Sequence, residues 1–342
     1  MTSPEHPSAR QAAQATGTVP DHARPAAEEL APEAPTTAEE AAPPAVAVFE
    51  GAVDREATER AQQAAARAAP DVETIGGLDA ETRQALYTLL VSLADNKYML
   101  GRRYAEWCTG APLLESAVAA AAMAQDELGH ARSFYPLLRG FPEASDAAAM
   151  EEEGWQSRPT SPMACLDRPF EVWSDFVAAN LVVDTALTTL LEAAMDSPYE
   201  PLRQRARKIV QEEDAHWMHV EGWVPRLAAE PETRASLLAG LQSMWEDAFT
   251  WFGLPDDPVL GQLTRVGLLA WPPDELREQL RGRLCPLLEA AGLADEFDAC
   301  SGVEAPGFGG LGEQAGLTAE LIDRSLPWEL WDPQRRRLRK RL

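Results

Sequence analysis

The chain has 342 residues, 55 acidic and 30 basic, with a formal net charge of −25 and a 45% hydrophobic content. Such acidity argues against general nucleic-acid binding, because a phosphate backbone would be repelled. The length suffices for one large domain or two small ones without covalent staples. The four cysteines, Cys108, Cys165, Cys285 and Cys300, lie far apart with no CxxC. The spacing is neither a zinc pattern nor a disulfide framework, so a reducing cytoplasm is expected. The N-terminus has no apolar run of the secretory kind, and no apolar stretch reaches the ~18 residues of a membrane span, so no membrane partner is expected.

Residues 1–75 are rich in Ala, Pro, Glu and Thr and almost free of aromatics. They lack the apolar surface needed to offset the entropy of ordering, and the expectation is a disordered arm. From Leu78 the pattern becomes helical. Asp79 caps a helix running to about Trp107, and Pro112 opens a second to about Leu138. Residues 140–168 are polar and Pro-rich, and read as a long crossover. Pro169 begins a third helix to about Met195, Pro198 and Pro201 introduce a fourth to about Leu227, and Pro231 precedes a fifth to about Phe252. No segment alternates with period 2 for long enough to be a strand. Two helical pairs joined by one long crossover make an all-α, ferritin-like four-helix bundle over residues 76–253. Residues 254–342 read as a C-terminal extension, with short helices near 273–291 and 313–325, a Gly-rich stretch between them and a basic tail, RRRLRKRL, expected to be a solvated end.

The chemistry emerges when each helix is followed at three- and four-residue steps, which stay on one face. The first helix runs Leu86, Leu90, Leu93, Lys97, Leu100, Tyr104 and Trp107. The second runs Ala120, Met123, Glu127, His130, Phe134 and Leu138. The third runs Trp173, Val177, Asn180, Asp184, Leu187 and Leu191, and the fourth Ile209, Glu213, His216, Val220 and Val224. Each ionisable group is bracketed by apolar residues and should point inward at similar depth. Isolated buried charges cost several kcal/mol unless paired or bound to metal, so the set needs a joint explanation.

Glu127–His130 and Glu213–His216 are both Glu-x-x-His, and one such motif on each of two helices is how di-metal carboxylate bundles hold their ions. Asp184 supplies a further carboxylate. The predicted metal ligands are therefore Glu127, His130, Asp184, Glu213 and His216, with Lys97, Glu127, Asp184 and Glu213 as candidate catalytic groups. The fourth carboxylate place is held by Lys97. The chain has three lysines against 27 arginines, so a lysine on an apolar face suggests a need for a compact ammonium. Three carboxylates and one ammonium leave −2, a balance met by one divalent metal or by two protonated histidines. One metal or none is expected, with Lys97 bridging the carboxylates.

The block LADNKYMLGRRYAEWCTGAPLLESAVAAAAMAQDELGHARSFY resembles the first helical pair of the phenylacetic acid catabolic proteins. The LGRRYAEWCTGAP turn, WVPRLAAEPETRASLLAGLQSMWEDAFTWFG and PGFGGLGEQAGL are similar to the C subunit of phenylacetyl-CoA epoxidase, and QDELGHA is more like the catalytic A subunit. The resemblance covers about residues 80–330. It implies a ferritin-like fold and a role in a multicomponent monooxygenase that epoxidises the ring of an aryl-CoA. It implies iron as the metal, and a second ferritin-like subunit (or a second copy) and a reductase component as partners; manganese is the other candidate for the donor set. Lys97 takes the position of the A subunit's first glutamate. The alternatives are a non-catalytic, structural C-type subunit and a stand-alone ferritin-like oxidase or oxygenase of a biosynthetic pathway.

Overall fold

The computed structural model describes residues 74–142, 162–297, 300 and 326–339. These residues all belong to one compact unit, Glu50–Leu342. The expected N-terminal arm, the 313–325 helix, the Gly-rich stretch, most of the crossover and the last three residues of the basic tail lie outside the described residues.

Seven helices are described. α1 spans Ala80–Ala105 and α2 spans Leu114–Leu138. α3 runs Trp173–Ala193, α4 Glu200–Ala229 and α5 Pro231–Thr250. α6 covers Leu260–Arg265 and α7 Pro273–Ala290. The all-α reading is correct, and the first five helix starts fall within a few residues of their sequence signals. Asp79 caps α1, its carboxylate accepting from Thr82 N at 2.9 Å, as an N-cap aspartate should. α3 begins at Trp173 rather than Pro169. There the Asp175 carboxylate reaches back to the Glu171 and Val172 amides at 2.9 and 3.2 Å.

α1 and α2 form one hairpin, and α3 and α4 the other, with α5 packed along α3. Gly101 permits the closest approach in the first hairpin. A Cβ there would lie 2.9 Å from Glu127 Cβ and 3.0 Å from the Leu128 backbone, so only glycine lets α2 come this near, one turn beyond Lys97.

α3 is 21 residues long and, by length and composition, apolar enough to cross a membrane, which corrects the expectation that no such stretch exists. Its most apolar 18-residue stretch is 94% buried in the bundle, so its uniform apolarity reflects contact on every side. Its middle, Asn180–Asp184, is a π-helical turn between Trp173–Ala179 and Thr185–Ala193. Such turns insert one residue into the α register and are enriched at functional sites. Here the turn ends on Asp184.

Three features depart from the sequence-based expectation. A short hairpin, β1 (Trp331–Asp332) with β2 (Arg337–Leu338), replaces the expected solvated end. Arg336 and Arg337 pack inward in it, because each pairs with a carboxylate elsewhere in the chain, buried Asp257 and half-buried Asp167. Helix α6 has no strong periodic signal. Cys285 and Cys300, both buried, are joined in a disulfide with Cα atoms 5.3 Å apart. That corrects the expectation of unpaired cysteines. Gly292, at φ +66°, turns the chain back after α7 and brings residue 300 beside residue 285, with Phe297 packed on Trp245. Sequence distance conceals a pairing that this reversal creates.

Candidate metal centre

The four faces traced in the sequence meet at the centre of the bundle. Lys97, Glu127, His130, Asp184, Glu213 and His216 are all buried, and Lys97 has no exposed surface. Lys97 Nζ donates to Glu127 Oε1 at 2.7 Å, Asp184 Oδ1 at 2.9 Å and Glu213 Oε1 at 2.5 Å. An ammonium has three protons, and each meets a carboxylate from a different helix.

The histidines complete the cluster from its outer side. His216 Nδ1 lies 2.8 Å from Asp184 Oδ2 and 3.0 Å from Glu213 Oε2. His130 Nδ1 lies 3.3 Å from Glu213 Oε1 and 3.5 Å from Glu127 Oε1. Each imidazole turns its other nitrogen to a surface carboxylate on the opposite helix. His130 Nε2 is 2.9 Å from Glu212 Oε2, and His216 Nε2 is 3.6 Å from Asp126 Oδ2. Lys208 in turn donates to both oxygens of Glu212, at 2.7 and 2.9 Å. Sequence reasoning missed Asp126 and Glu212. The signal was present: each stands immediately before the glutamate of a Glu-x-x-His motif, so the motifs match over one residue more. Tyr104 Oη donates to Asp184 Oδ2 at 3.2 Å, and Asn180 Nδ2 does so at 3.4 Å. The π turn therefore delivers Asp184 to Lys97, His216 and Tyr104 together.

Electrostatics follow from this crowding. Burial would lower the Lys97 ammonium, but Asp184, Glu127 and Glu213 outweigh it and hold it well above the usual lysine range. Burial opposes charging His130, but the Glu127 and Glu213 carboxylates beside its Nδ1 raise it to about 9. His216 is raised further against the same desolvation, by Asp184 and Glu213. Burial pushes the Glu127 carboxyl up to about 7, with Asp184 adding and Lys97 opposing. Glu213 is also penalised by burial, but Lys97 and His216 take it well below the usual carboxylate range. With all three acids ionised, one ammonium and two imidazolium ions sum to zero charge, which is one of the two balances counted from the sequence. His219, one turn beyond His216, is depressed to about 4 by burial and stays neutral beside Trp173 and Trp223.

Glu127, Asp184, Glu213 and His216 could hold a metal ion, since one ligand atom from each lies within 4.8 Å of the others. The Lys97 ammonium bonds three of those four side chains, so an ion bound there would have to displace it. A two-iron centre does not fit this donor set. It would place two dications beside a fixed ammonium, with three carboxylates where four are usual. Asp95 and Glu106, the nearest other acids in the α1 region, do not supply the fourth: Asp95 is off the Lys97 face, and Glu106 pairs with Arg103 at 2.5 Å.

The model of the family described as "Phenylacetic acid catabolic protein" matches residues 60–302. Among curated proteins, the chain is 31% identical over 144 residues to the C subunit of 1,2-phenylacetyl-CoA epoxidase from Escherichia coli (strain K12). That match covers 41% of this chain and 56% of the relative, so it spans little more than half of the relative's length. With its helical bundle and a match over most of the chain, this protein belongs to the phenylacetic acid catabolic protein family.

Proposed function

We propose that the chain is a subunit of a phenylacetyl-CoA epoxidase-type multicomponent oxygenase and fills the non-catalytic, C-type place in it. The observation that carries this reading is Lys97. Its ammonium bonds the three carboxylates that would otherwise bind metal, each within 2.9 Å. The cluster then does for the bundle core what a metal would do electrostatically: it neutralises acids drawn from different helices and ties the helices together. The ring-epoxidising step on an aryl-CoA belongs to a second ferritin-like subunit, supplied with electrons by a reductase component. Glu127, His130, Asp184, Glu213 and His216 are ligands in form, with Lys97 in the cation's place. Iron, or manganese, is the ion the quartet would take if Lys97 withdrew.

The test joins metal analysis to co-purification. Protein purified from its native host should carry well under one equivalent of iron or manganese and should bring a second helical-bundle subunit with it. Two equivalents of metal per chain, with O₂ consumption on reduction, would return the chain to the catalytic role. A metal-free chain isolated alone would remove it from the multicomponent assembly.

A further inference from the structure

The C-terminal hairpin makes its principal contacts far from its own place in sequence. Arg336 has φ +50°, a left-handed conformation that a residue with a Cβ rarely adopts, and is 1% exposed. Its guanidinium donates to Asp257 Oδ1 at 2.8 Å and to the Trp251 carbonyl, and lies 5.5 Å from the Trp331 ring centroid. Asp257 Oδ1 also accepts from the Val259 and Leu260 amides at 3.0 and 2.8 Å, which caps α6. Arg277 of α7 donates to the Gly253 carbonyl and lies under Trp328, at the entrance to the hairpin. Arg337, which follows Arg336, donates to Asp167 Oδ2 at 2.7 Å.

Asp167 lies in the short segment where the crossover returns to the bundle. Met163 N donates to Asn96 Oδ1 at 3.0 Å, and Arg103 donates to the Leu166 and Asp167 carbonyls at 2.9 and 3.3 Å. Cys165 N donates to Asp247 Oδ2 at 2.6 Å. The segment is thus pinned to α1 on both sides of Lys97, to α5, and to the hairpin. Asn96 is next to Lys97, and Arg103 is next to Tyr104.

We infer that the C-terminal hairpin is a clasp that holds the returning crossover segment against the part of α1 bearing Lys97. When the clasp is released, segment 162–168 loosens while the rest of the bundle stays closed. Arg337–Asp167 is the fastening contact, and Arg336–Asp257 anchors the hairpin from which it reaches. Arg337 sits in register by pairing with Asp332 across the two strands. The inference concerns the chain's own order and does not depend on its place in an oxygenase.

Hydrogen–deuterium exchange on the full chain tests it. Arg337→Ala and Asp167→Asn should each speed exchange in peptides covering 162–168 by about tenfold or more, since a locally opened unit exchanges through its own opening equilibrium. Peptides from the first turns of α4 should not change. Arg337→Lys should restore part of the protection. Arg339→Ala should leave 162–168 unaltered, because its bonds run to the Leu330 and Glu329 carbonyls within the hairpin. Unchanged exchange at 162–168 in both primary variants would overturn the clasp. So would an equal rise in every helix, which would mark general destabilisation. Arg336→Ala extends the test, but the Arg337–Asp167 pair decides it, because its side chains keep some solvent contact and its loss leaves the core intact.

Discussion

The centre of the bundle and the C-terminal clasp are both buried ionic clusters, built on opposite principles. At the centre, one ammonium serves three carboxylates, every partner is a side chain, and every side chain comes from a helix. In the clasp, one guanidinium spans a carboxylate and a backbone carbonyl, and its partners lie in loops. The difference reflects the cations. An ammonium is a compact point charge with three rotatable donors, suited to a small cage of acids, whereas a planar guanidinium bridges partners set apart. In a chain with 27 arginines and three lysines, the cage is built on one of the three. The two regions should fail differently. Removing the central cation strands charge in a dry core, whereas removing the clasp cation exposes charge to water as the hairpin peels away.

The sharpest break of this comparison is Lys97→Ala. It leaves three buried carboxylates with only the imidazoles as counter-charge, and a broken buried ion pair typically costs ~3–5 kcal/mol. The expected outcome is a large drop in the denaturant midpoint, with partial recovery when manganese or zinc is added to fill the quartet. An unchanged midpoint would mean that Lys97 contributes no binding energy to the core. Arg336→Ala should cost less: it strands one buried carboxylate rather than three, and Asp257 keeps the Val259 and Leu260 amides as donors, so the loss should fall near the lower end of the ~3–5 kcal/mol typical of a broken buried ion pair. Equal losses in the two variants would erase the distinction between cage and clasp.

Gly101→Ala tests the cage through the backbone. The added methyl meets Glu127 Cβ and the Leu128 backbone, neither of which is a flexible side-chain end. Overpacking of this kind costs about 1–3 kcal/mol and should move Glu127 away from Lys97. The Lys97 amine signal in NMR should shift along with the fall in stability.

The smallest effect, and the one that best separates a metal-free from a metal-bound cage, is pH dependence. His130 is raised from 6.5 to about 9 in the fold, so its contribution is fully present below pH 6.5 and is lost as pH rises through 9. Glu127, raised from 4.5 to about 7, makes the folded state the better proton binder between those values, so stability also falls with pH there. His219, depressed to about 4, opposes this fall below pH 6.5, so metal-free protein should melt at steadily lower temperature from pH 6.5 to 9.5, and His130→Gln should flatten the upper part of the slope. A cage that binds metal would release protons on binding and reverse the trend when metal is supplied.

Much of this was legible in the sequence, because helical periodicity is a local signal. Lys97, Glu127, Asp184 and Glu213 stand at fixed steps from leucines, valines and alanines on their own helices, so each could be placed inside without reference to the others. The surplus of arginine over lysine marked Lys97 as an ammonium the core needs, and charge arithmetic then required one divalent metal or two protonated histidines beside it. Tertiary structure alone decided the rest. The crossed contacts of Glu212 with His130 and of Asp126 with His216 depend on the relative depth of two helices. The Cys285–Cys300 bond depends on a reversal at Gly292. The burial of Arg336 depends on a carboxylate 79 residues earlier in the chain. A helix states which of its residues face inward, through a repeat of 3.6 residues, but nothing in a loop's sequence states which distant group it will meet.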